Sequence, residues 1–357
     1  VHGHARVAGP NAIDVDGRRL DTRFILLCTG SRPAEPRIDG IHDAGYLTSE
    51  SLFEIERAPR SLTIIGGGPI AIEMAQAFVR LGVATTVLQR GPTILPRDEP
   101  ELVRTLTTRL LDEGVALRLE VDTTRVSVGP DGKSVHGNER GRPAAWTAEE
   151  LLVAVGRRPN VEGLGLEEVG VAVGDRGIEV DTRMRTAVPS IYAAGDVAGR
   201  FLFTHAAGYE AVRAVRDMFF PGKGTVTDFV PWCTFTDPEL AHAGMTIAEA
   251  EAAHGGDVEV WRMGLDRSDR ARADSAASGA VVVVTAKGRL VGAHVLAPSA
   301  GEIIHELALG ISKGMKLNDL AGLIHVYPTL STSVGQLAAE AAYAGARRFR
   351  WLIRRAR

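Results

Sequence analysis

The chain contains 357 residues, of which 45% are hydrophobic and 24% are charged, and its formal net charge at pH 7 is −3. This length suits two or three domains, and the composition is that of a globular chain rather than a disordered one. A net charge this small produces no large field of one sign, so it favours neither nucleic acid nor an acidic substrate, and we expect no nucleic-acid partner. No apolar run reaches the about 18 residues that a membrane-spanning helix needs.

The cysteines and the first residues bear on where the protein works. Cys28 and Cys233 lie far apart, each within a strand-like run, so the sequence predicts neither a disulfide framework nor a zinc site. We expect both thiols to be buried and reduced. The first residues lack the apolar core of a secretion signal. Together these features predict a cytoplasmic protein.

The first part of the chain predicts a hairpin and then a buried strand. Asp16 and Gly17 separate two short strand-like runs, a pair that is typical of a tight β-hairpin. The apolar residues 24–28 predict a buried strand, and Thr29 and Gly30 stand at its carboxyl end. Ligands of open α/β sheets bind beyond the carboxyl ends of strands, so these two residues are candidate ligand contacts.

Residues 61–88 have the pattern of a complete β-α-β dinucleotide-binding unit. An apolar strand leads into a glycine turn, and an amphipathic helix and a second apolar strand follow. Gly66 permits the tight turn, Gly68 lets the backbone approach a pyrophosphate, and Ala71 lets the helix pack close to the strand. Pro69 and Ile70 begin the helix, whose N-terminus favours a bound phosphate.

Residues 100–225 contain two further strand ends with ligand-binding character. The pattern predicts an amphipathic helix over 102–111, an antiparallel excursion over 115–155, and a helix from Thr204 and His205 to residue 215. Gly156, Gly195 and Asp196 follow buried strands. We therefore expect them at the ligand-binding edge of a sheet.

The last third of the chain changes character. Strands over 281–285 and 290–296 and a helix over 302–311 predict an α+β domain from residue 226 onward. Residues 347–357 are basic and have apolar side chains on one helical face, so they could lie on a membrane surface. A solvated terminal helix that packs on its own domain is favoured, because a short stretch binds lipid weakly.

Taken in order, these motifs resemble the flavin-dependent pyridine nucleotide-disulfide oxidoreductases, which include mercuric reductase, dihydrolipoamide dehydrogenase and glutathione reductase. The matching stretches are 29–33 (second flavin contact), 66–75 (nicotinamide cradle), 154–160 (second nicotinamide contact), 194–196 (flavin aspartate), and 230–241 with 292–294 (dimerisation domain). The resemblance implies an α/β fold, with Rossmann-like FAD/NAD(P)-binding domains and a C-terminal α+β dimerisation domain. It also implies FAD and a nicotinamide nucleotide as ligands, and a homodimer.

The resemblance further implies roles for individual residues. Asp196 would hydrogen-bond the ribityl chain of the flavin, and the helix that starts near Thr204 and His205 would direct its N-terminus at the flavin. A helix dipole at that place favours the negative charge of a reduced flavin. Glu73 would lie beside the nicotinamide and pair with a lysine from the family's redox-cysteine helix.

Two family features are not found in this sequence: the flavin GxGxxG turn and the helix with two closely spaced redox cysteines. Neither Cys28 nor Cys233 stands where that pair belongs. We therefore expect a fragment that lacks most of the first flavin-binding half. The predicted domains are 1–57 (part of the FAD domain), 58–180 (NAD(P)), 181–225 (FAD, continued), 226–343 (dimerisation) and 344–357 (basic tail).

The nicotinamide nucleotide can be predicted from the end of the second strand. A dinucleotide fold usually places an acidic residue about 20 residues after the glycines, where it binds the ribose. This chain has Gln89 and Arg90 there. A carboxylate would repel a 2′-phosphate, whereas Arg90 can pair with one, so NADPH is favoured and NADH remains possible. The alternative is that Arg90 points to solvent. Residues 88–100 resemble mercuric reductase most.

A second stretch bears on the electron acceptor. In dihydrolipoamide and glutathione reductases the interface segment has a histidine before a proline and a glutamate shortly after, which form an acid-base pair. Residues 324–332 match this segment but have Tyr327 and Thr332 in those places. A phenol with a pKa of about 10 is a poor base at neutral pH. His325 could replace the missing base, or it could be satisfied at the dimer interface.

The sequence thus predicts a mercuric-reductase-like enzyme. It would pass hydride from NADPH to FAD, and electrons on to a thiol pair, Hg(II) or another acceptor. Glu73, Tyr327 and His325 are the candidate catalytic residues, and no resident metal site is predicted. Two alternatives are a dihydrolipoamide-dehydrogenase-like protein and a nucleotide-binding and dimerisation fragment without turnover.

Overall fold

A computed structural model describes residues 1–220, 222 and 225–346, without the side chains of 345 and 346. The chain separates into two compact units, one from Val1–Glu35 and Val155–Val230, the other from Pro36–Ala154 and the chain from Pro231 onward. The predicted domain limits stay predictions, because compactness does not test them. The units group residues 36–57 with the cradle and residues 155–180 with the first strands. Of the predicted basic tail, 344–357, residues 344–346 belong to the last described helix, and 347–357 lie outside the described residues.

Strands account for much of the described chain. In order they are β1 Ala5–Gly9, β2 Ala12–Val15, β3 Arg18–Asp21, β4 Ile25–Leu27, β5 Ser31–Pro33, β6 Ser61–Ile65, β7 Ala84–Gln89, β8 Ala116–Leu119, β9 Val121–Gly129, β10 Gly132–Glu139, β11 Arg142–Ala148, β12 Glu150–Val153, β13 Arg157–Pro159, β14 Val173–Gly174, β15 Gly177–Ile178, β16 Ile191–Ala193, β17 Trp232–Thr234, β18 Glu239–Gly244, β19 Val258–Gly264, β20 Ala280–Ala286 and β21 Arg289–Ala297.

The α-helices lie between these strands and near the end of the described chain. In order they are α1 Ile41–Ala44, α2 Pro69–Arg80, α3 Pro100–Asp112, α4 Thr204–Phe219, α5 Ile247–His254, α6 Asp269–Ala273, α7 Ala300–Ser312, α8 Leu317–Leu320 and α9 Thr332–Ala346. Among the described residues, no helix is both long and apolar enough to span a membrane.

The first unit brings together strands from distant parts of its sequence. β16 pairs in parallel with β4, β13 pairs antiparallel with β5, and β1 to β3 form a meander. The predicted hairpin is confirmed, with Asp16 (φ 50°) and Gly17 (φ 84°) in its turn. Its core joins these strands to α4 through Val7, Ile25, Leu27, Ile191, Tyr192, Val197, Ala214 and Met218.

The second unit begins with the predicted β-α-β unit, which is confirmed. β12, β6, β7 and β8 form a parallel sheet, and α2 and α3 bury their apolar stripes against it. The antiparallel excursion is present in β9, β10 and β11 but starts later than expected. β8 pairs in parallel with β7, since a strand that returns after a helical crossover runs parallel to the strand before it.

The rest of the second unit is the predicted α+β portion, which is confirmed. Five antiparallel strands form a sheet in the order β17-β18-β21-β20-β19. The four valines of β20 are all fully buried. A strand covered on both faces is apolar throughout rather than alternating. α7 packs on β18 and β21. The segment after α8, residues 322–328, is mostly exposed.

The expectation of two buried thiols is wrong for Cys28. Cys28 is exposed and Cys233 is partly buried. Side chains alternate between the two faces of a strand. Ile25 and Leu27 at the two ends of β4 are buried, so the next position, Cys28, falls on the outer face. The apolar run predicted the strand correctly but not the face of its last residue.

Candidate nucleotide-binding sites

The glycine turn after β6 is shaped to admit a ligand. Gly66 has a φ of 125°, a conformation that side chains disfavour. Gly68 precedes α2, and a Cβ atom added there would meet no atom within 4 Å. No side chain caps the first turn of α2, so its N–H groups can bind an anion. Ala71 is fully buried where the helix approaches the strand. This geometry fits a pyrophosphate.

Gln89 lies over the same turn. Its Nε2 donates to the carbonyl oxygen of Thr93 at 3.0 Å. A Cβ atom on Gly67 would come within 2.7 Å of the Gln89 side chain, so the middle glycine leaves room for the glutamine. Arg90 is exposed immediately beyond. The guanidinium of Arg90 is therefore accessible to a phosphate, whereas the amide of Gln89 is already engaged on one side.

One face of α2 is bonded to the loop between β17 and β18. Phe235 N–H donates to Glu73 Oε1 at 2.7 Å, and Asp237 N–H donates to Gln76 Oε1 at 2.7 Å. Arg80, one turn further, donates to Asp237 Oδ2 at 2.9 Å. Burial raises the pKa of Glu73, and the Phe235 N–H offsets part of that rise. Hydrogen bonds and an ion pair therefore join α2 to the α+β portion beside the candidate catalytic residue Glu73.

In the first unit, the two stretches expected to contact flavin and nicotinamide are bonded to each other. Thr29 Oγ1 donates to the carbonyl oxygen of Asn160 at 2.7 Å, and Asn160 Nδ2 donates back to the carbonyl oxygen of Thr29 at 2.9 Å. Asn160 N–H also donates to the carbonyl oxygen of Gly30 at 3.0 Å. Gly156 accepts from Ala34 N–H at 3.0 Å. Thr29, Gly30 and Gly156 thus share one edge.

Asp196 belongs to the same edge. It lies in a 3₁₀ turn, Gly195–Ala198, directly after β16. Ser31 Oγ donates to Asp196 Oδ2 at 2.5 Å, and Arg157 Nε donates to Ser31 Oγ at 2.6 Å. Arg157 Nε is 3.6 Å from the same carboxylate oxygen. The sequence prediction missed Ser31 and Arg157 as individual residues, although both lie inside the motifs that revealed the edge.

Thr204 and His205 stand at the N-terminus of α4, as predicted. Both are exposed, and no side chain caps the helix. His205 stacks on the ring of Phe203 with 5.3 Å between centroids. Below them Glu210 is buried and accepts from Gly195 N–H at 2.9 Å. Glu210 was not predicted as a site residue, although a carboxylate at four-residue spacing from alanines on a buried helical face is a detectable signal.

Tyr327 and His325 both contact groups of their own subunit. Tyr327 is 69% exposed, and its hydroxyl donates to Asp269 Oδ2 at 2.9 Å. That hydrogen bond raises the pKa of Tyr327 above 10, which leaves the phenol a donor rather than a base. His325 Nε2 is 3.1 Å from Glu306 Oε1. Asp269 and Glu306 could not be predicted as partners of these residues, because neither belongs to a motif.

A column of stacked side chains links the loop between β7 and α3 to the α+β sheet. The guanidinium of Arg97 lies 4.8 Å from the Trp232 ring, Trp232 stacks on His242 at 3.7 Å, and His242 meets His294 edge-on at 4.7 Å. Trp232 Nε1 donates to Asp98 Oδ1 at 2.9 Å. Burial raises the pKa of Asp98 to about 6. Burial also lowers the pKa of His242 to about 3 and that of His294 to about 4.

The described side chains offer no metal centre. Within the described ranges, His, Cys, Asp and Glu form no group of three that could bind a metal ion. Cys233 lies near Glu239 and Glu73, and burial together with these charges raises its pKa to about 12. A thiol with such a pKa is protonated at neutral pH and is a poor soft ligand or nucleophile.

An open glycine turn at the start of a helix, on a parallel sheet, is typical of nucleotide-binding α/β proteins. Comparison with known proteins narrows that class. The model of the pyridine nucleotide-disulphide oxidoreductases matches residues 1–211, and the model of that family's dimerisation domain matches residues 230–338. The chain belongs to the pyridine nucleotide-disulphide oxidoreductase family.

Named relatives and solved structures agree with that family. A mercuric reductase from Bacillus cereus is 33% identical over 335 residues, which are 93% of this chain and 53% of that protein. A dihydrolipoyl dehydrogenase from Thermus scotoductus is 36% identical over 347 residues, 96% of this chain and 74% of that protein. The chain therefore spans about half the length of the Bacillus relative. The structure of an HOCl-induced flavoprotein disulfide reductase from Escherichia coli superposes with a TM-score of 0.88 at 28% identity, over 95% of this chain and 78% of that one.

Proposed function

We propose that the protein is an FAD-dependent NAD(P)H oxidoreductase, with NADPH as the favoured donor and a thiol pair, Hg(II) or another acceptor beyond the flavin. Bound flavin supplies hydride acceptance and passes the electrons on. The observation that carries the proposal is the open turn at Gly68 below the uncapped N-terminus of α2. The mercuric reductase relatives and the family match support the choice of reaction.

On the nicotinamide side the chain's own groups bind and orient the nucleotide. The turn at Gly66 and Gly68, with Pro69, Ile70 and Ala71 starting α2, would hold the pyrophosphate through backbone N–H groups. Gln89 and Arg90 would contact the adenosine ribose. Glu73, whose Oε1 is held by Phe235 N–H at 2.7 Å, would present its other oxygen near the nicotinamide. These contacts would hold and orient the nicotinamide nucleotide for hydride transfer.

On the flavin side the edge in the first unit supplies the contacts. Asp196, with one oxygen bonded to Ser31, would accept from a ribityl hydroxyl with the other. Thr29, Gly30 and Gly156 would shape the backbone beside it. The uncapped first turn of α4, at Thr204 and His205, would stabilise negative charge through its N–H groups. These residues fit the flavin that the family implies.

Tyr327 bears on the acceptor and on the assembly. Its pKa is raised by Asp269, so it would donate a hydrogen bond rather than accept a proton. Dithiol exchange needs a base, which favours a metal ion or another acceptor over dihydrolipoamide, although a dihydrolipoyl dehydrogenase is 36% identical. His325, paired with Glu306, is the second candidate. We propose a homodimer through the dimerisation domain. A cytoplasmic location stays part of the proposal.

The proposed function is tested by titrating the purified chain with FAD and then with NADPH while the flavin absorbance is recorded. We expect FAD to be retained and to be bleached by NADPH in the absence of oxygen. If NADPH binds but no flavin is retained or reduced, the chain is a nucleotide-binding and dimerisation fragment. If dihydrolipoamide is turned over as fast as other acceptors, the dehydrogenase alternative is preferred.

The choice of NADPH has its own test in Arg90→Ala. Loss of one exposed arginine–phosphate pair should weaken NADPH binding about tenfold, or about 1.4 kcal/mol, and leave NADH binding unchanged. Arg104→Ala removes the same charge from the exposed side of α3 and serves as control. Equal losses for NADPH and NADH, or equal losses in both variants, would contradict a 2′-phosphate contact. Nucleotide fluorescence titrations measure all four affinities.

A further inference from the structure

α4 carries a carboxylate on its buried face. Glu210 is only 2% exposed, and its neighbours along that face, Ala206 and Ala214, are also buried. A buried helical face is normally apolar, and a carboxylate there must be compensated by hydrogen bonds or a countercharge. The resemblance to the family assigns no role to Glu210, although this side chain contacts the turn that contains Asp196.

Two groups compensate Glu210 in different ways. Gly195 N–H donates to Glu210 Oε2 at 2.9 Å. Arg200 Nε lies 3.4 Å from Glu210 Oε1, but this buried nitrogen makes no hydrogen bond among the described residues. Arg200 instead donates from NH2 to Asp228 Oδ1 at 2.7 Å. Arg200 therefore supplies charge, while the directed hydrogen bond of Glu210 goes to the backbone of Gly195.

That backbone group sets the direction of the turn. Gly195 has a φ of 78°, in the left-handed region, and a Cβ atom there would come within 3.0 Å of Ala207 Cβ. A glycine is free to adopt other conformations, so the turn needs an external restraint. Glu210 holds its N–H from the helix, and Ser31 holds the Asp196 carboxylate from β5. The Asp196 carboxylate is thus restrained in two ways: its own oxygen is bonded to Ser31, and the turn that carries it is held by Glu210.

We propose that Glu210 is a positioning residue for the flavin contact at Asp196. The Glu210 carboxylate orients the peptide between Ala194 and Gly195, so that the Asp196 carboxylate is already directed before the flavin binds. The inference rests on the proposed function, because it takes Asp196 as a flavin ligand. It adds a residue that contacts neither the flavin nor the nicotinamide and acts through a backbone N–H.

The test compares Glu210→Ala with Glu210→Gln in the full chain. The readouts are FAD affinity, from flavin fluorescence, and the hydrogen-exchange rate of the Gly195 amide, from NMR. Alanine removes the acceptor, so we expect about tenfold weaker FAD binding and at least tenfold faster Gly195 exchange. Glutamine keeps a carbonyl acceptor, so both readouts should stay within about threefold of the parent. NADPH affinity should be unchanged in both variants.

Asp217→Ala is the matched control. Asp217 is also on α4 and largely buried, and it pairs with Arg183 and Tyr192 instead of the turn. We expect it to lower stability but to leave Gly195 exchange and FAD affinity near those of the parent. The proposal is overturned if Glu210→Ala and Asp217→Ala change both readouts equally, or if Gly195 exchange is unaffected by Glu210→Ala. If the parent binds no FAD, the proposed function fails, while Gly195 exchange still decides whether Glu210 holds the turn.

Discussion

Replacement of Gly68 by alanine is expected to weaken NADPH binding about a hundredfold, or about 2.7 kcal/mol. The same change should lower the free energy of unfolding by less than about 1 kcal/mol, the usual difference between glycine and alanine before a helix. A large loss of binding with little loss of stability is the signature of a ligand-facing glycine. A glycine required by the fold would show the opposite.

The backbone at Gly68 explains why stability should be spared. Its φ and ψ are −83° and −178°, an extended conformation that any residue adopts. A Cβ atom there would meet nothing within 4 Å, so alanine creates no clash in the free protein. The added methyl group would occupy open space at the turn that leads into the uncapped N-terminus of α2. A pyrophosphate held by backbone contacts needs that space, and a methyl group would push it away.

The neighbouring glycines provide controls with different outcomes. Gly66 has a φ of 125°, so Gly66→Ala should lower the free energy of unfolding by about 1 to 3 kcal/mol. It should also weaken NADPH binding. Gly67→Ala would push against the flexible Gln89 side chain, and we expect a smaller effect on both quantities. Nucleotide fluorescence and urea unfolding measure the two quantities. Parental NADPH affinity in Gly68→Ala would mean that the phosphates bind elsewhere.

The local architecture could be predicted from the sequence because its signals are local. The glycine turn, the apolar stripe of α2 and the pair Asp16 and Gly17 each determine structure within a few residues. The same holds for β20 and β21, whose apolar runs are separated by Lys287 and Gly288. The strand ends at Gly30 and Gly195 also follow from local pattern, and with them the position of the first unit's edge.

The partners of the site residues could not be predicted in the same way. Ser31 meets Asp196, and Asn160 meets Thr29, across more than 130 positions of sequence. Such pairings depend on which strands become neighbours, and no local periodicity encodes that. The exposure of Cys28 was missed because the last residue of a strand can fall on either face. Glu210 is different: its place on a buried stripe was visible in the pattern.

The second large effect concerns acid. The free energy of unfolding should fall as the pH drops below 6.5, because His242 and His294 are buried in neutral form. Their pKa values fall from 6.5 to about 3 and about 4. A lowered pKa means that the unfolded chain binds protons first, so the contribution is complete above pH 6.5 and is lost as the pH falls toward 4. Between pH 6.5 and 4.5 the pair should cost about 5 kcal/mol.

Other buried groups act in the opposite direction. Burial raises the pKa values of Asp98, Glu73 and Glu210, so these carboxyls take up protons more readily in the folded chain and lessen the loss. The pH profile of the parent alone therefore understates the effect of the histidines. The effect of the histidines is isolated by subtracting the pH profile of unfolding free energy of a variant without the two imidazole rings from that of the parent. The carboxyls are common to both proteins and cancel.

The variant that isolates the pair is His242→Gln combined with His294→Gln. Each ring donates from Nε2 to a carbonyl oxygen, of Gly244 at 2.7 Å and of Met245 at 3.0 Å, and a glutamine amide can donate in the same way. At pH 8 the variant should be less stable than the parent, since it loses the stack on Trp232. Urea unfolding at pH 8, 6.5 and 4.5 measures the free energy of unfolding of both proteins. Between pH 6.5 and 4.5 we expect the variant to gain about 5 kcal/mol of stability relative to the parent. Parallel pH profiles of the two proteins would mean that the histidines are protonated in the folded state, with Trp232 and Asp98 as the groups that accommodate their charge.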